Sequence, residues 1–335
     1  MPGGGDGDVD VVAVTGATGF LGSRLVDAFR RRGCRVIAMS RSSDGDDSIP
    51  FRLGLGVSRD ALRRGGVRAL VHCAYDFTLT RWSEIDRINV GGSRLLFEAA
   101  AAAGVDTIVD VSSISAFPGA TSLYGRAKLE TEDAAQGVGA VVLRPGLIWA
   151  DDPDTAGGMF GALAAAARRP ILPIIGSGRY PQYLVHIDDL VDVVIGVCEG
   201  TISPAQDPLI VAAPAPVVFT DLVRRLAEPQ RSPHLVRVPW RIVRAGLRAA
   251  ELTRLPLGFR SDSVTSLVHH GPAPDATTLA RLGIACREFL KADPGMGMCV
   301  EPLSAELPPR PRIPSTESEG ADRAPGHVSA ISPRS

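Results

Sequence analysis

Short apolar runs alternate with amphipathic stretches along the first half of the chain. Five runs are nearly continuous in Val, Ile, Ala and Leu, which is the pattern of strands buried on both faces. They cover residues 9–15, 35–40, 69–75, 107–113 and 140–145. The segments between them, such as SRLVDAFRRRG and GGSRLLFEAAAAAG, have helical apolar spacing and end in glycine. This alternation predicts a parallel sheet with right-handed helical crossovers.

The second half of the chain has a less regular pattern. Residues 220–228 and 239–255 read as helices, with Thr220 as the N-cap of the first, and residues 208–214 read as a further strand. Toward the C-terminus the chain becomes rich in Pro, Ser, Glu and Arg and loses its periodicity. This composition predicts a disordered tail over residues 303–335.

Composition narrows the class of protein. The chain has 335 residues, 45% of them apolar, and a formal net charge of -1, so it lacks the basic footprint of a nucleic-acid-binding protein. No apolar run is long enough to cross a membrane. The five cysteines are scattered without a CxxC pair or a zinc spacing, which favours a reducing compartment, the cytoplasm, over a disulfide scaffold. The N-terminus lacks the pattern of a signal peptide.

A glycine-rich turn follows the first predicted strand directly. The sequence AVTGATGFLGSRL places Gly16, Gly19 and Gly22 where this strand passes into the first helix. Glycine tolerates a positive φ and allows a ligand to approach the backbone closely. The N-terminus of a helix offers free N–H groups and a positive dipole end to a pyrophosphate. In this context the turn predicts a dinucleotide site, although its GxxGxxG spacing differs from the GxGxxG fingerprint.

The segment SLYGRAKLE holds one of only two lysines in an arginine-rich chain. Lys128 comes four residues after Tyr124, so both side chains lie on one face if the segment is helical. An ammonium close to a phenol favours its ionised form, and the pair can then donate and accept a proton. Arginine has a broad fork in place of a compact ammonium, which explains why lysine is kept at this position.

Taken together, these motifs resemble the extended branch of the short-chain dehydrogenase/reductase superfamily, the NAD(P)-dependent epimerase/dehydratase family. The resemblance runs from about residue 9 to residue 289, and its order and spacing match the family. The matching pieces are TGATGFLGS (15–23), VHCA (71–74), NVGGS (89–93), VSS (111–113), YGRAK (124–128), LRPGLIW (143–149) and VHIDDL (185–190).

The resemblance implies an α/β fold, a Rossmann-type doubly wound parallel sheet with a smaller, mostly helical substrate-binding lobe. The dinucleotide-binding region is then 8–150, with 183–215 returning to it. The second lobe, meaning residues 151–182 and 216–293, is expected to hold a small-molecule substrate. Relatives often dimerise through the helices that follow Asn89 and carry Tyr124, so a homodimer is expected.

A catalytic triad is also implied. Ser113, the second serine of VSS, would polarise a substrate oxygen, with Ser112 and Ser115 as competing candidates. Tyr124 would exchange a proton with that oxygen, and Lys128 would also bond the nicotinamide ribose. Asn89 resembles a structural asparagine of the family and is expected at the head of a helix.

Cofactor choice follows from the end of the second strand, where an acidic residue favours NAD and an arginine favours NADP. Arg41 stands there, so NADP is favoured; Asp44, Asp46 and Asp47 leave NAD open. The segment IPFRLGL lacks the acidic residue that relatives usually place beside the adenine. The expected cofactor-binding residues are Gly16, Thr18, Gly19, Phe20, Leu21, Gly22, Arg41, Cys73, Ala74, Tyr124, Lys128 and Pro145.

The VHIDDL segment is expected to serve the scaffold. His186 is then a structural residue joining the two lobes, and Asp188 and Asp189 are helix-start residues, not a metal pair. The rest of the sequence shows no other spacing of His, Cys or carboxylates that indicates a metal site.

The substrate is the least defined feature. Many relatives bind the diphosphate of a nucleotide sugar with arginines of the second lobe, commonly with one shortly before the VHID segment. The candidates in this chain are Arg179, Arg241, Arg244 and Arg260. Gln182 falls nearer than Arg179 to the usual position of that arginine. Ile114 to Phe117 include no acid, which argues against 4,6-dehydration. Reduction of a carbonyl and epimerisation remain, and a non-catalytic NAD(P)H-binding sensor or scaffold is the alternative.

Overall fold

A computed structural model describes residues 10–41, 47–152, 156–204, 208–227, 234–252, 261–268 and 271–289. All of them lie in one compact unit, Met1–Lys291. The predicted disordered segment 303–335 lies outside the described residues. Within the described part of the chain, no helix is long and apolar enough to cross a membrane.

The described residues contain thirteen strands, eleven α-helices and one π-helical turn, with loops between them. The strands are β1 Val11–Thr15, β2 Arg35–Ser40, β3 Ser48–Pro50, β4 Ala69–His72, β5 Thr107–Val111, β6 Val141–Pro145, β7 Leu147–Trp149, β8 Ile171–Ile175, β9 Pro181–Gln182, β10 Leu184–His186, β11 Leu209–Val211, β12 Val217–Val218 and β13 His234–Val238. The helices are α1 Phe20–Arg31, α2 Arg59–Gly65, α3 Trp82–Ile85, α4 Gly91–Ala103, α5 Leu123–Gln136, α6 Gly158–Ala167, α7 Ile187–Cys198, α8 Phe219–Ala227, α9 Trp240–Leu252, α10 Ser261–Val268 and α11 Ala276–Arg281.

The central sheet has seven strands in the order β11-β6-β5-β4-β1-β2-β3, and every pair in it is parallel. The strand order reverses between β1 and β4. In a doubly wound sheet, ligands bind in the crevice at the carboxyl ends of such neighbours. This confirms the Rossmann-type fold predicted from the sequence.

Successive residues of the strands point to opposite faces of the sheet, and each face has its own apolar cluster. Val12 and Val14 of β1 pack in the cluster that contains Phe29 of α1 and the apolar face of α7. Ala13 of the same strand packs on the other face, in the cluster that contains Phe97 of α4. Burial on both faces explains why the strands read as continuous apolar runs.

A third apolar cluster is formed mainly by the second lobe. It includes Phe160 of α6, Leu222 of α8 and Phe289. Besides helices, this region contains the parallel pair β8 and β13 and the antiparallel pair β9 and β12. The residues predicted for the second lobe therefore contain short strand pairs beside their helices.

Several element ends differ from the sequence prediction. β4 ends at His72, three residues earlier than predicted, because the N–H groups of Cys73 and Ala74 turn toward Thr15 Oγ1. Thr220 lies inside α8 rather than at its N-cap, since its hydroxyl donates to Gly178 O at 2.9 Å. Strand β11 ends at Val211 and joins the edge of the main sheet beside β6.

Candidate active site

The glycine turn brings the start of α1 against the end of β4. Gly16 has φ +66°, and a Cβ there would lie 3.1 Å from Ala74 N. A Cβ on Gly22 would overlap Gly16 O at 2.1 Å, so this close passage requires glycine. The first turn of α1 carries no acidic residue, and Gly19 supplies no side-chain cap. The positive end of the helix dipole is left for a negatively charged ligand.

A buried hydrogen-bond chain joins β1, β4 and α4 below this turn. Thr15 Oγ1 accepts the N–H groups of Cys73 and Ala74, so its own hydrogen is donated to His72 Nδ1 at 2.8 Å. His72 Nε2 then carries the ring hydrogen and donates it to Ser93 Oγ at 2.8 Å. Burial, helped by the charge of Lys128, lowers the pKa of His72 to about 3. The imidazole is therefore a neutral scaffold group.

A cleft of about 1900 Å³ runs past the turn along the carboxyl ends of the strands. Its lining includes the predicted triad and every predicted cofactor-binding residue, which are Gly16, Thr18, Gly19, Phe20, Leu21, Gly22, Arg41, Cys73, Ala74, Ser113, Tyr124, Lys128 and Pro145. Residues that are far apart in the sequence thus share one concave surface.

Helix α5 carries the Tyr124 and Lys128 pair. Ser122 caps the helix by accepting Gly125 N–H at 3.0 Å. The carboxylate of Asp262 from α10 accepts the N–H groups of Leu123 and Tyr124, both at 2.8 Å. The first turn of α5, which contains Tyr124, is therefore held from both sides.

Lys128 is almost fully buried, at 4% exposure, although it lines the cleft. Its Nζ donates to Val111 O at 2.7 Å, which fixes the ammonium beside the end of β5. The ammonium also lies 5.6 Å from the centre of the Tyr75 ring. This arrangement leaves other Nζ hydrogens to face the cleft.

The three candidate serines have different partners. Ser112 is buried, and its hydroxyl donates to Glu132, which Arg144 also binds through two hydrogen bonds. Ser113 lines the cleft, and its Oγ accepts Ser115 N–H at 3.1 Å. Its own hydrogen is thus free to be donated to a ligand. Ser112 is engaged in the scaffold, which favours Ser113 over it as the group that faces a substrate.

Asp110 lies on β5, two residues before Ser112, and is fully buried. Within the described residues neither of its carboxylate oxygens has a hydrogen-bond partner. Burial raises the pKa of this carboxyl to about 6, against the lowering effect of Lys128, and Glu132 adds to the increase. Reading the sequence alone gave no sign of this buried acid.

Comparison with known proteins decides the family. Residues 12–204 match the NAD dependent epimerase/dehydratase family, which is more than half of the chain. The chain belongs to this family. The recognition made from the motifs is therefore confirmed, and the protein is an NAD(P)-dependent enzyme of the extended short-chain dehydrogenase type.

Two curated relatives are named as reductases. Ceramide reductase of Caulobacter vibrioides is 29% identical over 289 residues, covering 81% of this chain and 88% of the relative. The 4-hydroxy-2-methyl-3-oxo-4-farnesyl-3,4-dihydroquinoline-1-oxide ketoreductase of Stigmatella aurantiaca is 28% identical, covering 71% of this chain and 79% of the relative. Among solved structures, MoeE5 in complex with UDP-glucuronic acid and NAD has a TM-score of 0.62 at 23% identity, covering 83% of this chain and 94% of MoeE5, and shows the same fold.

The sequence predicts that the choice between NAD and NADP depends on the residues at the end of β2. Arg41 is exposed at the cleft, and β3 extends beside it because Phe51 N–H donates to Ser40 O at 2.8 Å. Arg52 also lines the cleft, and no motif in the sequence marks it as a site residue. Asp47 instead binds Arg35 Nε at 2.7 Å. The other two acidic candidates, Asp44 and Asp46, lie outside the described residues.

Asn89 has a different place from the one expected. It lies inside a single π-helical turn, Asp86–Val90, and is buried. Its Oδ1 accepts Asp76 N–H at 2.8 Å, and its Nδ2 donates to Asp76 O at 3.2 Å. Asn89 thus clamps the loop that follows β4 instead of heading a helix.

The VHIDDL segment serves the scaffold, as predicted. His186 is the N-cap of α7 and accepts Asp188 N–H at 3.2 Å. Its Nε2 lies 3.5 Å from Asp151 Oδ2, without the geometry of a hydrogen bond. Asp189 accepts the Arg287 N–H and Nε–H, both at 2.7 Å. No cluster of His, Cys, Asp or Glu within the described ranges has the arrangement of a metal site.

The candidate substrate arginines are divided between cleft and surface. Of the predicted candidates, Arg244 and Gln182 line the cleft, and Arg179 and Arg241 lie outside its lining. Arg248, which was not among the candidates, lines the cleft as well. The remaining candidate, Arg260, lies outside the described residues.

Proposed function

We propose that this protein is an NADP(H)-dependent carbonyl reductase that uses Ser113, Tyr124 and Lys128. The observation that carries the proposal is the position of Lys128. A buried ammonium held at Val111 O lies one helical turn from Tyr124, in the cleft that also contains the glycine turn and Ser113. Among the described residues no carboxylate is in hydrogen-bond contact with this ammonium, so its burial is costly, and a catalytic role accounts for it.

The residues of the cleft suit a dinucleotide. The start of α1 would bind the pyrophosphate, Cys73 and Ala74 would border the nicotinamide half, and Arg41 with Arg52 would bind a 2′-phosphate. Pro145, at the end of β6, lines the same cleft and would also contact the dinucleotide. When bound, NADPH supplies the hydride for the carbonyl carbon and leaves as NADP+.

The proton and the orientation come from the chain itself. The Ser113 hydroxyl would donate a hydrogen bond to the carbonyl oxygen and polarise the bond. The Tyr124 phenol would transfer its proton to that oxygen as the alcohol forms. Lys128 would stabilise the phenolate that results and hold the ribose. We propose further that the second lobe closes the substrate side of the cleft.

Net reduction is favoured over the other reactions of the family. Both curated relatives described above are named as reductases, and their named substrates are a ceramide and a farnesylated quinoline oxide. Residues 114–117 supply no carboxylate for elimination of water. A second candidate function is epimerisation of a nucleotide sugar, which Arg244 and Arg248 in the cleft favour because they could bind a diphosphate.

Native mass spectrometry of the freshly purified protein, followed by a carbonyl panel with NADPH, tests the proposal. A reductase is expected to bind added NADPH reversibly and to oxidise it when a ketone is present. A tightly retained dinucleotide with no net NADPH consumption would indicate an epimerase. Binding of NADPH without turnover of any compound would indicate the sensor or scaffold alternative.

A further inference from the structure

The loop between β4 and α3 surrounds the proposed catalytic tyrosine with aromatic rings. The Tyr75 and Tyr124 ring centres are 5.1 Å apart with an edge-to-face geometry, and the Phe77 ring centre is 5.7 Å from that of Tyr124. Phe77 is nevertheless 59% exposed, and it lines the cleft. A large apolar side chain is thus presented to the space where the substrate must lie.

Hydrogen bonds fix this loop in place. The buried amide of Asn89 binds both the N–H and the carbonyl of Asp76. The Asp76 carboxylate in turn accepts Thr78 N–H at 2.9 Å and the Thr78 hydroxyl at 2.6 Å. Phe77 lies between these two anchored residues, so its exposure is built into the structure. A fixed, exposed apolar surface in a cleft marks a binding site for an apolar group.

The apolar lining continues onto other elements. Asp262 places α10 directly beside Tyr124, and Val264 and Leu267 of this helix line the cleft. The adjacent helix α9 contributes Val243 and Leu247. On the loop side the lining includes Leu79, Trp82, Ile85 and Leu123.

This surface fits a sugar poorly. Hydroxyl groups that leave water need hydrogen-bond partners in the protein, and an unpaired one weakens binding. Beside Tyr124, the exposed ring of Phe77 has no hydrogen-bonding group to offer a hexose hydroxyl. Arg179, the candidate close to the usual diphosphate position, is exposed and lies outside the cleft lining.

We propose that the substrate is a ketone whose carbonyl group is attached to an extended apolar chain, with the chain packed between Phe77 and the apolar faces of α9 and α10. This inference rests on the proposed reductase function and specifies its substrate class. The carbonyl lies at Ser113 and Tyr124, and the chain extends away from them along the cleft.

A chain-length series measures the turnover part of the inference. With NADPH in excess, kcat/KM is determined for 2-alkanones from 2-butanone to 2-undecanone, and uridine diphosphate is added as a competitor. Each methylene that enters the apolar lining is expected to raise kcat/KM by up to about 4-fold until the chain fills the cleft. Uridine diphosphate is expected to have no effect on these rates.

Binding of alcohols tests the apolar site without turnover. Calorimetric titration of the full-length protein, with and without NADP+, uses 1-alkanols from 1-butanol to 1-decanol. Affinity is expected to rise with chain length. Phe77→Ser should flatten the dependence on chain length in both assays, whereas Phe77→Leu should preserve most of it. The control is Val236→Ser, because Val236 is 48% exposed and lies outside the cleft lining; it should leave the dependence unchanged.

The outcomes separate the two proposals. If alkanols bind with the chain-length dependence but no ketone is reduced, the apolar site stands and the reductase function is wrong. If ketones are reduced without any chain-length dependence, or if uridine diphosphate competes strongly, the function stands and the substrate class is overturned. If there is neither binding nor turnover, both are overturned.

Discussion

At the scale of single residues, Arg41 carries the expected preference for NADP. Replacing Arg41 by Asp removes a charge-assisted hydrogen bond to the 2′-phosphate and adds repulsion. We expect affinity for NADPH to fall by about 10- to 100-fold relative to NADH, the equivalent of one charged contact of about 1.5–3 kcal/mol. Fluorescence titration with both dinucleotides measures the ratio. An unchanged ratio would assign the phosphate to another group, with Arg52→Asp as the next variant.

Asp110 predicts an unusual pH dependence of stability. Burial raises the pKa of its carboxyl from 3.8 to about 6, so the folded state binds a proton more tightly than the unfolded state does. Its contribution to the free energy of unfolding therefore falls as the pH rises from about 4 to about 6, by roughly 3 kcal/mol in total. Asp110→Asn removes this term, because the amide does not titrate.

Urea unfolding of both proteins at pH 4 and pH 7.5 checks this prediction. The variant should gain stability relative to the wild type between the two pH values. The buried His72 affects both proteins in the same way: its lowered pKa costs stability as the pH falls below about 6.5, and this cost cancels in the difference. A difference that does not depend on pH would show that folding does not raise the pKa of the Asp110 carboxyl.

At the scale of elements, α10 positions the helix that carries the proposed catalytic pair. Asp262→Ala removes the acceptor for the N–H groups of Leu123 and Tyr124, and the first turn of α5 should loosen. We expect kcat to fall on the order of 10-fold, in line with a lost cap of about 1–2 kcal/mol. The affinity for NADPH should change little, because Lys128 remains anchored to Val111 O one turn further along.

Two further variants make this test specific. Asp262→Asn keeps one carbonyl oxygen as an acceptor and should recover part of kcat. Asp221→Ala removes a surface acid in the first turn of α8 and should have no effect. Equal losses in kcat and in NADPH affinity for Asp262→Ala would mean that the whole site is disturbed and that α10 has no specific positioning role.

The elements that the sequence predicts well are those with local signals. The strands β1, β2, β5 and β6 and the turn at Gly16 follow from apolar runs and glycine spacing over a few residues. By contrast, the hydrogen bond between Tyr124 N–H and Asp262 joins residues that are 138 positions apart in the sequence. The hydrogen bonds from Thr15 through His72 to Ser93 likewise connect three separate elements. These long-range hydrogen-bond partners are brought together by the packing of helices on the sheet, and no local sequence pattern predicts them. The π-helical turn around Asn89 likewise depends on the loop that it clamps.

At the scale of the whole molecule, we propose a homodimer formed through α4 and α5. Leu95 is 47% exposed on α4, an apolar side chain outside the cleft that a partner copy would cover. Light scattering at micromolar concentration should give twice the chain mass. Leu95→Asp should shift the protein toward monomer, while Ile242→Asp, on the 62% exposed site of α9, should not. A monomeric mass for the wild type would contradict the proposal.

Removal of one oxygen atom tests the central claim most directly. Tyr124→Phe keeps the ring that packs on Tyr75 and Phe77 but eliminates the proton donor. With NADPH and the ketone that the wild type reduces fastest, kcat should fall by at least about 10²- to 10⁴-fold, while NADPH affinity stays the same. Lys128→Met should lower both quantities, and Tyr180→Phe, outside the cleft lining, should lower neither. Turnover by Tyr124→Phe close to that of the wild type would contradict the mechanism.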